Sequence, residues 1–288
     1  MIKIDVRNIH HRLKMYKRSP LSLVLLLLVV SAAAITASIL LFIIGYILVK
    51  GIPNITADLF AWEYTSQNVS LTPAVINTLI IVVLALLIAV PLGIFSAVYL
   101  VEYARRGNRL IEIIRLTTET LAGIPSIIYG LFGLLFFVTA LGWGFSLLAG
   151  AFTLAIMILP VIMRTTEEAL KAVPNSYREG SFALGAGKLR TVFRIVLPSA
   201  MPGILSGIIL GVGRIVGETA ALLYTAGTVA EIPKNLLSSG RTLSVHMYVL
   251  ASEGLYVNQA YATAVILLVT VMIINWISSM MAKKITKG

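Results

Sequence analysis

Residues 211 to 221 read GVGRIVGETAA, an arginine and a glutamate four positions apart in a stretch that is otherwise apolar or small. A charge at the centre of a membrane helix costs roughly 2.5 to 3.5 kcal/mol on insertion scales, so Arg214 and Glu218 call for a reason. A guanidinium offers a planar fork of donors that fits phosphate or carboxylate oxygens and stays charged at any relevant pH. A glutamate one helical turn away can pair with it and lower the cost of both. Two chemistries follow. Arg214 contacts an anion in a translocation path and Glu218 restrains it when the site is empty, or the two form a structural pair between packed helices. At 100° per residue Gly203, Gly207, Gly211, Arg214, Glu218, Ala221 and Thr225 fall within about 80° of one another. Such a stripe of small residues lets another helix come close or leaves room for something that is not a side chain.

Other chemistries fail on residue type or place. The chain has no cysteine, which removes thiolate nucleophiles and cysteine metal sites. Ser126, Ser146 and His246 do not form a hydrolase, because His246 falls in a non-spanning segment and no membrane histidine accompanies either serine. His10 and His11 stand in a basic tail without acids to complete a metal site. GAGKLR resembles a phosphate-binding loop, yet Leu189 stands where Ser or Thr would hold magnesium and Phe182 where the first glycine belongs. GVGRIVG has one residue too many for a dinucleotide fingerprint. No cofactor is therefore expected on this chain.

The elements that must position the two charges are membrane helices. Of 288 residues 58% are hydrophobic and 12% charged, against about 45 to 50% and about 25% in soluble domains. Six segments are long and apolar enough to span: Leu21 to Val49, Ala74 to Val101, Leu121 to Ala140, Ser146 to Met163, Ala200 to Thr225, and Ala260 to Met281. The first follows a basic tail but stays apolar past the length of a signal-peptide core, so it is read as a retained span. With the loops assigned alternately to two sides, nineteen Lys and Arg fall on one side and three on the other, Arg214 being the remaining one of 23. Basic loops gather in the cytoplasm, which puts both termini there and accounts for the net charge of +11 without nucleic acid. Pro125 would loosen the third helix, while Gly123, Ser126 and Gly130 let it approach a neighbour as a gate or as plain packing.

The connection between the fourth and fifth spans, residues 164–198, is long for a loop and rich in helix formers. TEEALKAV extends the fourth helix into water. Pro174 then breaks it, Ser176 is placed to cap a second helix over Tyr177 to Leu184, and Gly185 and Gly187 end that helix. Its Glu179, Gly180 and Ser181, followed by Gly185, Ile195, Leu197 and Pro198, resemble the coupling motif of type I ABC importer permeases. Gly180 and Ser181 replace the commonest Ala-Ala pair and keep its smallness. GRIVGETAALL and LAGIPSIIYGLFG resemble segments of the phosphate-specific, PstA-type branch, many members of which carry proline where this chain has Ala221.

The resemblance implies an all-α polytopic membrane protein of type I ABC importer permease fold, with six transmembrane helices and a cytoplasmic coupling helix. It divides the chain into an N-terminal tail over 1–20, a first span over 21–49, a permease domain over 73–282 with its coupling loop, and a tail over 283–288. It implies a transporter subunit, not an enzyme, set in a bacterial or archaeal cell membrane and in contact with lipid. A separate PstB-like ATPase dimer uses the ATP and magnesium. A PstC-like permease completes the path, and a PstS-like extracytoplasmic protein delivers phosphate. Arg214 and Glu218 then belong to the phosphate pathway, with Pro125 and Ser126 on a gate-lining helix. The residues alone leave open sulfate, molybdate or phosphonate as the oxyanion. An ion-coupled secondary transporter is the other class, disfavoured because Glu218 is the one acid deep in a span.

Overall fold

The computed structural model describes residues 20–287 other than 105 and 106, with side chains for 21–104 and 107–280. His10, His11 and the basic residues of the N-terminal tail lie outside the described residues, as do the side chains of Lys283, Lys284 and Lys287.

The chain divides after Lys50. The first unit contributes α1, Pro20–Gly51, a helix apolar on every face, as a lipid-surrounded span must be. The second unit holds the remaining helices: α2 (Thr72–Tyr103), α3 (Arg109–Ala122), α4 (Ser126–Ala140), α5 (Leu147–Ala172), α6 (Asn175–Ala183), α7 (Lys188–Val216), α8 (Ala220–Leu223), α9 (Leu243–Glu253) and α10 (Val257–Lys287). Among the described residues five helices are long and apolar enough to cross a membrane, and α3 with α4 make a sixth candidate bent by 103°.

Helix α5 is the hub of the second unit, packed mainly between α2 and α7. Lipid removes most of the hydrophobic drive for helix association, so close approach through small residues has to supply the attraction. The contacts follow that rule. A Cβ on Gly93 of α2 would lie 2.7 Å from Ile162 of α5, and one on Gly203 of α7 would lie 2.6 Å from the Ala169 methyl. Gly207 faces Thr165 just as tightly. The glycine half of the stripe thus admits α5 and leaves no room for a solute. Pro91, Pro160 and Pro202 all lie inside helices.

Three expected boundaries differ. The third span does not start at Leu121: Gly123, Ile124 and Pro125 break it, leaving amphipathic α3 before the bend and α4 after it. The Tyr129 hydroxyl, 2.7 Å from the Leu121 carbonyl, donates to one of the acceptors that the break releases. The fifth span starts earlier, at Lys188, and ends at Val216 rather than Thr225. Finally, the stretch from Ala226 to Gln259, expected as an external loop, contains α9.

The region from Ala226 to Gln259 is tied down by polar groups. Asn77 of α2 donates to the carbonyls of Glu231 and Arg241, and Thr78 accepts from the Leu243 N–H. Arg241, which composition alone would leave as a loop charge, is buried with its guanidinium 4.5 Å from the Tyr64 ring centre. Asn68 accepts from Thr65 and Ser70 N–H groups and donates to the Glu63 carbonyl, so it serves a turn.

Candidate functional site: a charged helix break and a breaker-bounded helix

The Gly-Glu-Thr segment is not helical. Helix α7 stops at Val216; the Gly217 N–H bonds back to Gly213 and Ile215 carbonyls, and Glu218 and Thr219 lead into the single turn of α8. Arg214 therefore sits in the last turn of α7, where carbonyls without intrahelical partners favour a positive charge. Glu218 has left the helix, so the one-turn spacing that would pair it with Arg214 no longer operates. Among the described residues neither forms an ion pair. The buried Glu218 carboxylate instead accepts from the Ala221 N–H at 3.1 Å, and its backbone carbonyl accepts from the Ser244 hydroxyl at 2.6 Å. Arg214 is half-buried and its guanidinium makes no hydrogen bond to any described group. A guanidinium left with free donors beside a helix break is equipped to meet an anion.

Ala221 explains how Glu218 is held away. Proline at this position would have no N–H to give the carboxylate, so the replacement noted from the sequence creates Glu218's partner. The same residue joins the two membrane motifs: a Cβ on Gly130 of α4 would lie 2.8 Å from the Ala221 Cα. The helix that Pro125 opens and Ser126 begins thus lies directly against the break. Below it, α3, α5 and Leu210 of α7 border a cavity of about 500 Å³ lined by Arg115, Glu119, Arg164 and Glu168 among others.

At the cytoplasmic end expected from the sequence, α6 stands between two breakers. Pro174 precedes it, and Gly185, at φ +80°, takes the left-handed conformation that terminates it. Two details differ from expectation. Ser176 lies inside α6 and caps nothing, because the helix starts two residues earlier than expected, at Asn175, with Pro174 at the cap position. Gly187 begins α7 instead of ending α6. Glu179 and Gly180 are exposed, and a Cβ at Gly180 would meet nothing within 4 Å, which is why alanine also suits that place. Ser181 is buried, with its hydroxyl 2.8 Å from that of Thr191. Ile195 and Leu197 are half-buried, and Pro198 is exposed just past a π-helical turn over Val192–Val196. Leu184 projects at 91% exposure beside Tyr177 and Phe182.

Sequence reasoning missed Arg178. It donates to Glu102 at 2.8 and 3.1 Å and to the carbonyls of Leu170 and Val173. Its place just before Glu179 was the available signal. Of the residues weighed for a hydrolase, the Ser146 hydroxyl caps α5 by accepting from the Ala149 N–H, and His246 is buried in α9.

The described helices thus form a bundle of spanning candidates with a short breaker-bounded helix between α5 and α7. Residues 89–287 match the family of binding-protein-dependent transport system inner membrane components, and the chain belongs to it. It is a permease subunit of an ABC importer. Over 276 residues it is 33% identical to the probable ABC transporter permease protein YqgI of Bacillus subtilis, covering 88% of this chain and 94% of that one. It is 35% identical to the phosphate transport system permease protein PstA of Haemophilus influenzae, covering 82% and 84%. The fold matches the bacterial alginate ABC transporter solved with its alginate pentasaccharide-bound periplasmic protein, at TM-score 0.66 and 19% identity over 95% of this chain and 98% of that one. It also matches the inward-facing methionine transporter MetNI, at 0.58 and 21% over 75% and 94%.

Proposed function

We propose that this chain is one of two permease subunits of an ATP-driven phosphate importer, and that Arg214 meets the anion on its way through. The observation that carries the reading is the Arg214 guanidinium, free of ion pairs at a helix break whose acid is bound elsewhere. Phosphate as the substrate is supported by the PstA relatives; arginine chemistry alone would also accept sulfate, molybdate or phosphonate. In this reading α6 seats in a groove on a cytoplasmic ATPase dimer that uses ATP and magnesium, a PstC-like chain completes the path, and a PstS-like protein delivers phosphate from outside. The N-terminus, α6 and the C-terminus face the cytoplasm.

The test is uptake of labelled phosphate in cells where this permease is the sole route, with Arg214→Gln compared at matched membrane abundance. The expected result is loss of uptake, at least tenfold, with the ATPase still bound. Unchanged uptake would make Arg214 structural. Uptake of sulfate in preference to phosphate by the unaltered chain would change the substrate.

A further inference from the structure

A helix that takes a push from a partner must itself be fastened to what it moves. In α6 the usual fastening is missing: none of its apolar side chains is buried, and Tyr177 and Phe182 are about half exposed. Only two of its residues are withdrawn from solvent, Arg178 and Ser181. They stand three positions apart, on one face of the helix, and each ends in a specific polar contact.

Arg178 joins three elements with one side chain. Its Nε and Nη2 donate to Glu102, which lies in the π-helical turn closing α2, with both side chains largely buried. Nη2 also donates to the Leu170 carbonyl and Nη1 to the Val173 carbonyl, both acceptors at the C-terminal end of α5, and Nη1 reaches Asn175 at 3.4 Å. Neighbouring Tyr103 receives the Lys188 ammonium over its ring at 5.0 Å, which ties the end of α2 to the start of α7. Ser181 makes the second fastening. Its hydroxyl pairs with Thr191 on α7, the helix that ends at Arg214 and the break. Alanine, which the commonest form of the motif carries here, would lack that bond.

We propose that Arg178 is a positioning residue through which movement of α6 reaches α2 and α5, while the Ser181–Thr191 pair carries the same movement along α7 to the helix break. The proposal rests on the reading of α6 as the ATPase's seat. The linkage is polar and directional where apolar packing would slip: a guanidinium held by one carboxylate and two carbonyls has one geometry. Lysine, a point charge, would keep the Glu102 attraction and lose the fork.

The experiment uses the complete importer in proteoliposomes, with partner permease, ATPase and phosphate-loaded binding protein, and reads ATP hydrolysed per phosphate imported. Arg178→Ala should raise that ratio at least tenfold with the ATPase retained, Arg178→Lys should recover part of the loss, and Ser181→Ala should raise the ratio by a smaller factor. Glu102→Gln keeps the shape and removes the charge, so it carries the test if Arg178→Ala fails to assemble. A second readout is independent of substrate. The chain has no cysteine, so Tyr99→Cys at the exposed end of α2 gives a unique probe whose labelling rate should respond to ATP in the parent and not in the Arg178 variant. A parent that responds to ATP but imports no phosphate would sink the substrate reading and leave the linkage standing. Wild-type coupling in both Arg178→Ala and Glu102→Gln, an ATP response that survives Arg178→Ala, or uptake lost only in step with lost ATPase would overturn the linkage.

Discussion

At the scale of single residues, what separates Arg214 from Glu218 is one backbone N–H. Ala221 supplies it, so Ala221→Pro should release the Glu218 carboxylate toward Arg214, where it competes with the incoming anion. The expected outcome is a KM for phosphate raised by a few fold with kcat little changed, measured as uptake against external phosphate. His246 offers a separate check on the outer region. Burial, and then the Arg241 charge, push its pKa from 6.5 down to about 3, with the Val69 backbone acting in the opposite sense. The folded chain therefore keeps the ring neutral while the unfolded chain takes up a proton below 6.5. Stability from this group is full above pH 6.5 and falls by roughly 1.4 kcal/mol per pH unit as pH drops toward the folded value. Thermal unfolding in detergent at pH 7 and pH 5 should show this loss, and His246→Gln should flatten it.

At the scale of elements, the glycines of α7 set how close α5 can come. In Gly207→Val the new Cβ would sit 2.6 Å from the Thr165 Cβ, which either forces the helices apart or bends one of them. A loss of about 1 to 3 kcal/mol is expected for overpacking of this kind, read as a lower unfolding temperature with membrane insertion intact. These glycines were legible in the sequence because helical periodicity depends only on residue type. The continuation of the stripe through Glu218, Ala221 and Thr225 was not real, because periodicity assumes a helix that Gly217 ends. The break at Pro125 was readable as a loosening, but not as a 103° bend, since the angle depends on how Tyr129 bonds back to Leu121 and how Gly130 seats against α8. Helix α9 escaped notice because an eleven-residue segment of mixed polarity has no spanning signature, and its place is fixed by distant partners such as Thr78. The coupling motif was legible from spacing and two breakers. Its fastening was not, because Glu102 stands 76 positions from Arg178.

At the scale of the whole molecule, the proposed topology puts α6 in the cytoplasm and the Trp62 region outside, on the distribution of basic residues. Leu184 is 91% and Trp62 69% exposed, so single cysteines at these places can be reached by water-borne reagents. In intact cells an impermeant maleimide should label Trp62→Cys and spare Leu184→Cys until the membrane is opened; the reverse pattern would invert the topology. Because two side chains hold α6 and the rest of its surface serves no internal packing, that surface is free of the constraints that bind a buried helix. Its outward residues can change with each lineage of ATPase while the permease beneath stays the same, as a plug can be recut for a new socket without rewiring. Chimaeras exchanging the outward positions of α6 between related importers, with Arg178 and Ser181 kept, should therefore transfer the choice of ATPase without altering what is carried.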